Sequence, residues 1–65
     1  MRIEVNGEPR ETRARSLAEA LAELGLAEAV VATALNGDFV PRAERPGTPL
    51  RDGDRIEVVA PMKGG

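Results

Sequence analysis

The 65-residue chain has no cysteine, histidine, tryptophan or tyrosine, and Phe39 is its single aromatic residue. Each absence removes a class of chemistry. Without cysteine there is no disulfide and no thiolate nucleophile. Without cysteine or histidine there is no zinc site of the usual ligand set and no imidazole acid–base catalysis. One aromatic ring cannot stack a run of bases, which argues against single-stranded nucleic acid as a partner. No apolar run approaches the roughly 20 residues that span a bilayer. The opening Met1-Arg2-Ile3-Glu4-Val5 carries a charge at every second position, unlike a signal peptide. Nine basic and eleven acidic residues leave a net charge of −2, which gives no general pull toward phosphate backbones or anionic membranes. The expectation is a cytoplasmic protein, monomeric when free, that binds neither nucleic acid nor membrane.

What is present suits one small globular domain over residues 1–65. The apolar fraction of 42% is too high for a disordered chain. At this size only about 60% of the unfolded surface can be buried, so stability is marginal.

Met1, Ile3 and Val5 alternate with Arg2 and Glu4, the period of a half-buried strand. Asn6-Gly7 supplies two residues that tolerate positive φ, as a tight hairpin turn requires. Glu8 to Arg13 then returns antiparallel, with Pro9 marking it as an edge strand. Ser16-Leu17-Ala18-Glu19 is a capping-box pattern in which hydroxyl and carboxylate reciprocally satisfy orphan N–H groups. Leu17, Leu21 and Leu24 recur at helical spacing and Gly25 stops the run, which predicts a helix over 17–24. Val30 to Leu35 reads as a buried strand, Asn36-Gly37 as a second turn, and Asp38 to Pro41 as its short antiparallel partner. Residues 42–48, with Pro46 and Gly47, read as loop, and Leu50 as a plug into the core. Asp52-Gly53-Asp54 is a turn, and residues 55–60 form the last strand. The leucine stripe of one helix must be covered by a sheet. The class is therefore α+β: a small mixed sheet of four or five strands, first and last adjacent at its centre, with one main helix on one face. That is a β-grasp layout. Residues 61–65 are expected to form a flexible tail.

Such a frame encloses no catalytic pocket, and an enzyme is not expected. Asp52 and Asp54 are too few for a calcium loop and read as turn formers, so no metal is expected. Ser16 reads as a helix cap, since no histidine is available to activate it. Glu19 and Glu23 read as a solvated acidic face that a basic partner could meet. No phosphate-binding loop is present, so the chain binds no nucleotide by that route. The end of the chain differs: a strand runs into Gly64-Gly65 and a free carboxylate. Glycine lets backbone enter a channel too narrow for side chains. The carboxylate is a poor acyl electrophile until activated, for example as an acyl-adenylate, and the machinery for that must sit on a partner. Along the last strand Ile56, Val58 and Ala60 share one face and Glu57, Val59 and Pro61 the other. With the first set under the helix, Val59 is an exposed apolar residue beside the tail, a candidate docking patch as much as a lone surface valine.

The whole chain resembles the small sulfur carriers of the ubiquitin-like β-grasp superfamily, closest to the thiazole-biosynthesis branch. The resemblance rests on Met1 to Gly7, on Ser16-Leu17, on Leu35-Asn36-Gly37 followed by Val40-Pro41-Arg42, on Leu50 to Glu57, and on terminal Gly64-Gly65, in that order and spacing. It implies that a ThiF-type adenylating enzyme uses ATP to convert the Gly65 carboxylate to an acyl-adenylate. Sulfur drawn from cysteine by a cysteine desulfurase then gives a Gly65 thiocarboxylate, and a ThiG-type thiazole synthase takes the sulfur into the thiazole of thiamin. Gly65 would hold the sulfur and Gly64 keep the tail slim, while Met62 and Lys63 line the approach to partner active sites. No cofactor is bound by the chain itself. Alternatives of the same class are the small subunit of molybdopterin synthase and the carriers of tRNA thiolation. From other classes come a β-grasp adaptor with no tail chemistry and a modifier conjugated to lysines.

Overall fold

The computed structural model describes residues 1–61. Five strands form one mixed sheet: β1 (Arg2–Val5), β2 (Glu8–Glu11), β3 (Ala32–Leu35), β4 (Asp38–Val40) and β5 (Arg55–Val59), in the order β2-β1-β5-β3-β4. β1 and β5 are parallel neighbours, and the two outer pairs are antiparallel hairpins. This is the β-grasp arrangement expected from the alternation in the first and last strands.

Both hairpins close through Asn-Gly. Val5 faces Glu8 across Asn6-Gly7, and Leu35 faces Asp38 across Asn36-Gly37. Both asparagines sit at φ 51°, with Gly7 at 84° and Gly37 at 89°. Two successive positive φ values are the requirement of a type I′ turn.

Helix α1 (Leu17–Glu23) crosses one face of the sheet. Leu17 and Ala20 join Ile3, Ala14, Val40, Leu50 and Ile56 in the core, so the 50-position plug is in place. The Ser16 hydroxyl accepts the Glu19 N–H at 3.2 Å, as an N-cap should. The reciprocal half of the capping box differs from expectation, because Glu19 Oε1 accepts from Arg15 N–H. At the other end Leu26 N–H reaches Leu21 O and Gly25 N–H reaches Ala22 O, a Schellman closure with Gly25 at φ 76°. Leu24 is the C-cap and only half-buried; Ala20, not Leu24, completes the buried stripe.

Several boundaries move for physical reasons. β3 starts at Ala32, because Ala32 opposite Val59 is the last pair β5 can offer; Val30, beyond it, is exposed. Ala60 likewise lies past the ladder and is exposed, so it does not share the buried face of Ile56. β2 stops at Glu11. Residues Arg42–Gly47 are a 3-10 helix, η1, where a loop was expected. Its hidden anchor is Arg45, only 6% exposed. Arg45 Nε donates to Thr33 Oγ1 at 2.9 Å and Nη2 to Val31 O at 2.6 Å, while Thr33 Oγ1 donates to Val40 O at 2.9 Å.

Candidate functional site

β5 is the strand that leads to the C-terminus, so the end of β5 is where any chemistry of the tail begins. Met62, Lys63, Gly64 and Gly65 lie outside the described residues. What the structure does give is the platform from which they depart.

The parity along β5 is as expected for its paired part. Ile56 is buried, Val58 half-buried beneath the helix, and Glu57 and Val59 face away. Val59 is 62% exposed. It is not a lone surface valine. Its ladder partner Ala32 lies on the same open face, as does Ala34, which in turn faces Phe39 of β4. Phe39 is 69% exposed and Val30, just ahead of β3, is 74% exposed. A shallow apolar recess of about 310 Å³, lined by Val30, Val31, Ala32, Val59, Ala60 and Pro61, sits at the point where the tail leaves. The β1 and β5 portion of the same face bears Arg2, Glu4, Arg55 and Glu57 instead. The open side of the sheet is thus divided into an apolar half next to the tail and a charged half away from it. Phe39, Val30 and Ala32 are the members that sequence reasoning missed. Ladder register sets Ala32 beside Val59 and Phe39 beside Ala34 further out on the same face, while Val30 lines the recess with Val59; no spacing within the chain reports that.

The remaining candidates resolve into structural roles. Asp52 Oδ1 accepts from Arg2 N–H at 2.7 Å and Asp54 Oδ2 from Arg51 N–H at 2.8 Å. With Gly53 at φ 89°, the two carboxylates brace a turn, and among the described residues no group of His, Cys, Asp or Glu is placed to hold a metal. Glu19 and Glu23 are not a free acidic face. Both bind the segment that joins β2 to α1: Glu19 through Arg15 N–H, and Glu23 through the Thr12 hydroxyl and, at 3.1 Å, Arg13 N–H. The Thr12 hydroxyl chiefly, then the Arg13 N–H, hold the Glu23 carboxyl below its ordinary value of 4.5. The recess between α1 and η1, lined by Ala18, Leu21, Ala27, Arg42, Arg45 and Pro46, is about 200 Å³. That is smaller than most ligand pockets. Among the described residues no helix is long and apolar enough to cross a membrane.

Comparison with known proteins agrees with this geometry. The model of the ThiS family matches residues 3–65. The sulfur carrier protein ThiS of Thermus thermophilus is 48% identical over 61 residues, covering 94% of this chain and 95% of the relative. A thiazole synthase of Paramagnetospirillum magneticum is 38% identical over 66 residues; all of this chain matches 20% of that protein. The crystal structure of the thiamine biosynthesis protein ThiS from Geobacter metallireducens superposes with a TM-score of 0.82 at 36% identity, with both chains fully covered. The solution structure from the same organism gives 0.78 at 33% identity, covering 100% of this chain and 88% of that one. A β-grasp globule whose central strand leads to Gly-Gly, matched from end to end by sulfur carriers, belongs to the ThiS family: the chain is a sulfur carrier of thiamin biosynthesis, and not itself a catalyst.

Proposed function

We propose that the sulfur travels on Gly65. The Gly65 carboxylate attacks the α-phosphorus of ATP held by a ThiF-type adenylating enzyme, and pyrophosphate leaves. The mixed anhydride makes the carbonyl carbon electrophilic. A cysteine desulfurase takes sulfur from cysteine as a persulfide, and a thiol reductant releases it at the sulfide level. That sulfide adds to the carbon, AMP departs with the bonding pair, and a thiocarboxylate remains. A thiocarboxylate is a soft nucleophile, suited to deliver its sulfur to a ThiG-type thiazole synthase. The match of this whole chain to one-fifth of a thiazole synthase supports that pairing, since a carrier-like segment built into a synthase has that enzyme as its natural consumer. ATP belongs to the partner, and the setting is the cytoplasm.

The single observation that carries the reading is membership of a sulfur-carrier family in a chain whose central strand leads to a terminal Gly64-Gly65. Met62 and Lys63 line the way into the partner's site. Val59, with Ala32 and Val30 beside it and Phe39 further out on the same face, gives the partner an apolar surface against which to seat the globule. Intact-mass spectrometry after incubation with the adenylating enzyme, ATP and a sulfide source tests the chemistry. The expected result is a gain equal to exchanging one oxygen for sulfur, absent when Gly65 is deleted. Val59→Asp tests the docking: it places a charge in an apolar contact and is expected to weaken binding to the adenylating enzyme by about tenfold or more. Its melting temperature should stay near that of the wild type, because the side chain is exposed. Unchanged affinity would remove Val59 from the interface.

A further inference from the structure

The two sides of β5 are held differently. β3 accompanies it as far as the pair Ala32 and Val59. On the other side β1 pairs only Glu4 with Arg55 and Val5 with Ile56, because the chain turns away at Asn6-Gly7. The last backbone link there is Asn6 N–H to Ile56 O at 2.9 Å. The next peptide groups of β5 facing that side are the N–H and C=O of Val58, and no strand reaches them. The Asn6 side chain reaches both. Val58 N–H donates to Asn6 Oδ1 at 2.8 Å, and Asn6 Nδ2 donates to Val58 O at 3.2 Å, across 52 residues of sequence. A carboxamide presents a donor and an acceptor much as a peptide unit does, so it stands in for the missing strand residue.

From this geometry we infer that Asn6 is a positioning residue for the transfer chemistry: its amide clamps the root of the C-terminal tail at Val58 and fixes the direction in which the tail leaves the globule. The inference rests on the sulfur-carrier reading above and adds a residue to it. Val58 is flanked by the apolar patch at Val59, so docking and departure of the tail occur at adjacent residues. Seven residues then separate Val58 from the reacting carbon, a reach of roughly 20–25 Å if extended. With the globule seated on its partner, a small rotation of the Val58 peptide redirects the chain that follows. Reaction demands placement of the terminal carbon to well under an ångström, and misplacement by about 1 Å can cost 10²-fold.

The molecule contains its own control. Asn36 has the same φ of 51° and also grips β5 with its side chain, accepting Arg55 N–H at 2.9 Å and donating to Asp54 Oδ1 at 3.0 Å. It holds the end of β5 remote from the tail. Asn6→Gly and Asn36→Gly each delete a β5 clamp while leaving a residue that accepts positive φ. The two variants are compared with wild type in ATP–pyrophosphate exchange with the adenylating enzyme, at a temperature where melting curves show all three folded. Asn6→Gly is expected to lower kcat/KM by about tenfold, mostly in kcat. Its docking affinity by calorimetry should change by less than about threefold, and exchange of the Val58 amide hydrogen should accelerate selectively. Asn36→Gly is expected to stay within about twofold of wild type. Equal losses in the two variants, or no loss in Asn6→Gly, would overturn the inference. Asn6→Asp retains the acceptor for Val58 N–H and loses the donor to Val58 O, and should fall between wild type and Asn6→Gly; wild-type activity there would also count against a two-bond clamp. A wild-type chain inert in the assay strikes the carrier reading itself, and the inference with it.

Discussion

The two hairpins that flank β5 are built from the same turn and stabilised in opposite ways. Each closes on Asn-Gly with the same asparagine φ, so local chemistry makes them twins. Away from the turns they diverge. In the first hairpin every residue of β2 is exposed, and the segment after it is tied to α1 by Glu19 and Glu23 from outside. In the second hairpin Thr33 and Val40 are buried, and η1 pushes Arg45 beneath them. Both hairpins put an apolar residue into the core, Ile3 in the first and Val40 in the second. Beyond that, the first is followed by a segment lashed down by surface carboxylates, and the second is propped from within by a guanidinium. Both edges of the sheet are protected, β2 by alternating charges with Pro9 and β4 by its three-residue length and the proline that follows. The lesson is that a turn sets register but not stability, which comes from whatever non-local groups register brings within reach.

Removing the inner prop is the strongest way to break the symmetry of the comparison. Arg45→Ala deletes both hydrogen bonds to Thr33 Oγ1 and Val31 O, and enlarges the adjoining recess. The expected cost is about 2 kcal/mol in urea denaturation. In a domain of marginal stability that is a large fraction of the total. Arg45→Met keeps most of the apolar stem and removes the charge, and should recover much of the loss, since replacing a buried ion by a packed apolar residue is often close to neutral. Amide exchange in β3 and β4 should quicken in Arg45→Ala before that in β1 and β2. A uniform change over both hairpins would mean that Arg45 supports the whole sheet rather than one arm of it.

The same contrast explains what was legible in the sequence. Everything governed by neighbours along the chain could be read: the alternation of Ile3 and Val5, both Asn-Gly turns, the Ser16 cap, the Gly25 stop, and the parity that leaves Val59 outward. Residues whose roles depend on distant partners could not. Arg45 has the composition of a loop residue, and only the placement of Thr33 and Val31 above it makes burial of its guanidinium tolerable. Glu19 and Glu23 have helical spacing that suggests a solvated face, yet their acceptors are claimed by backbone that the β2-to-α1 connection folds back onto them. For the site, the parity of β5 located Val59, while Ala32 joined it through cross-strand register and Val30 through the shared recess. Asn6 was legible as a turn former, and its grip on Val58 was not, because the two are neighbours only once β1 and β5 lie parallel.

The outer lashing is the weaker device, and pH separates it from the inner one. Glu23 accepts from the Thr12 hydroxyl and Arg13 N–H in the folded chain, which holds its carboxyl below the ordinary 4.5. A depressed folded pKa means that the unfolded chain takes up the proton first. The carboxylate therefore contributes stability that is fully present above about pH 5 and is lost as the pH falls through 4.5 toward the lower folded value. Because Glu23 is exposed, solvent screens the effect and the contribution is small. Glu23→Gln has no proton to gain, so its stability should lie slightly below wild type at pH 7 and the difference should shrink on acidification. Arg45→Ala, by contrast, should keep a constant deficit over the same range, since the partners it loses are a hydroxyl and a backbone carbonyl and not a carboxylate. Denaturation midpoints at pH 7, 5 and 3.5 give the comparison. If the Glu23→Gln deficit stays as constant as that of Arg45→Ala, the carboxylate's charge is irrelevant to the first hairpin, and its contacts act through shape alone.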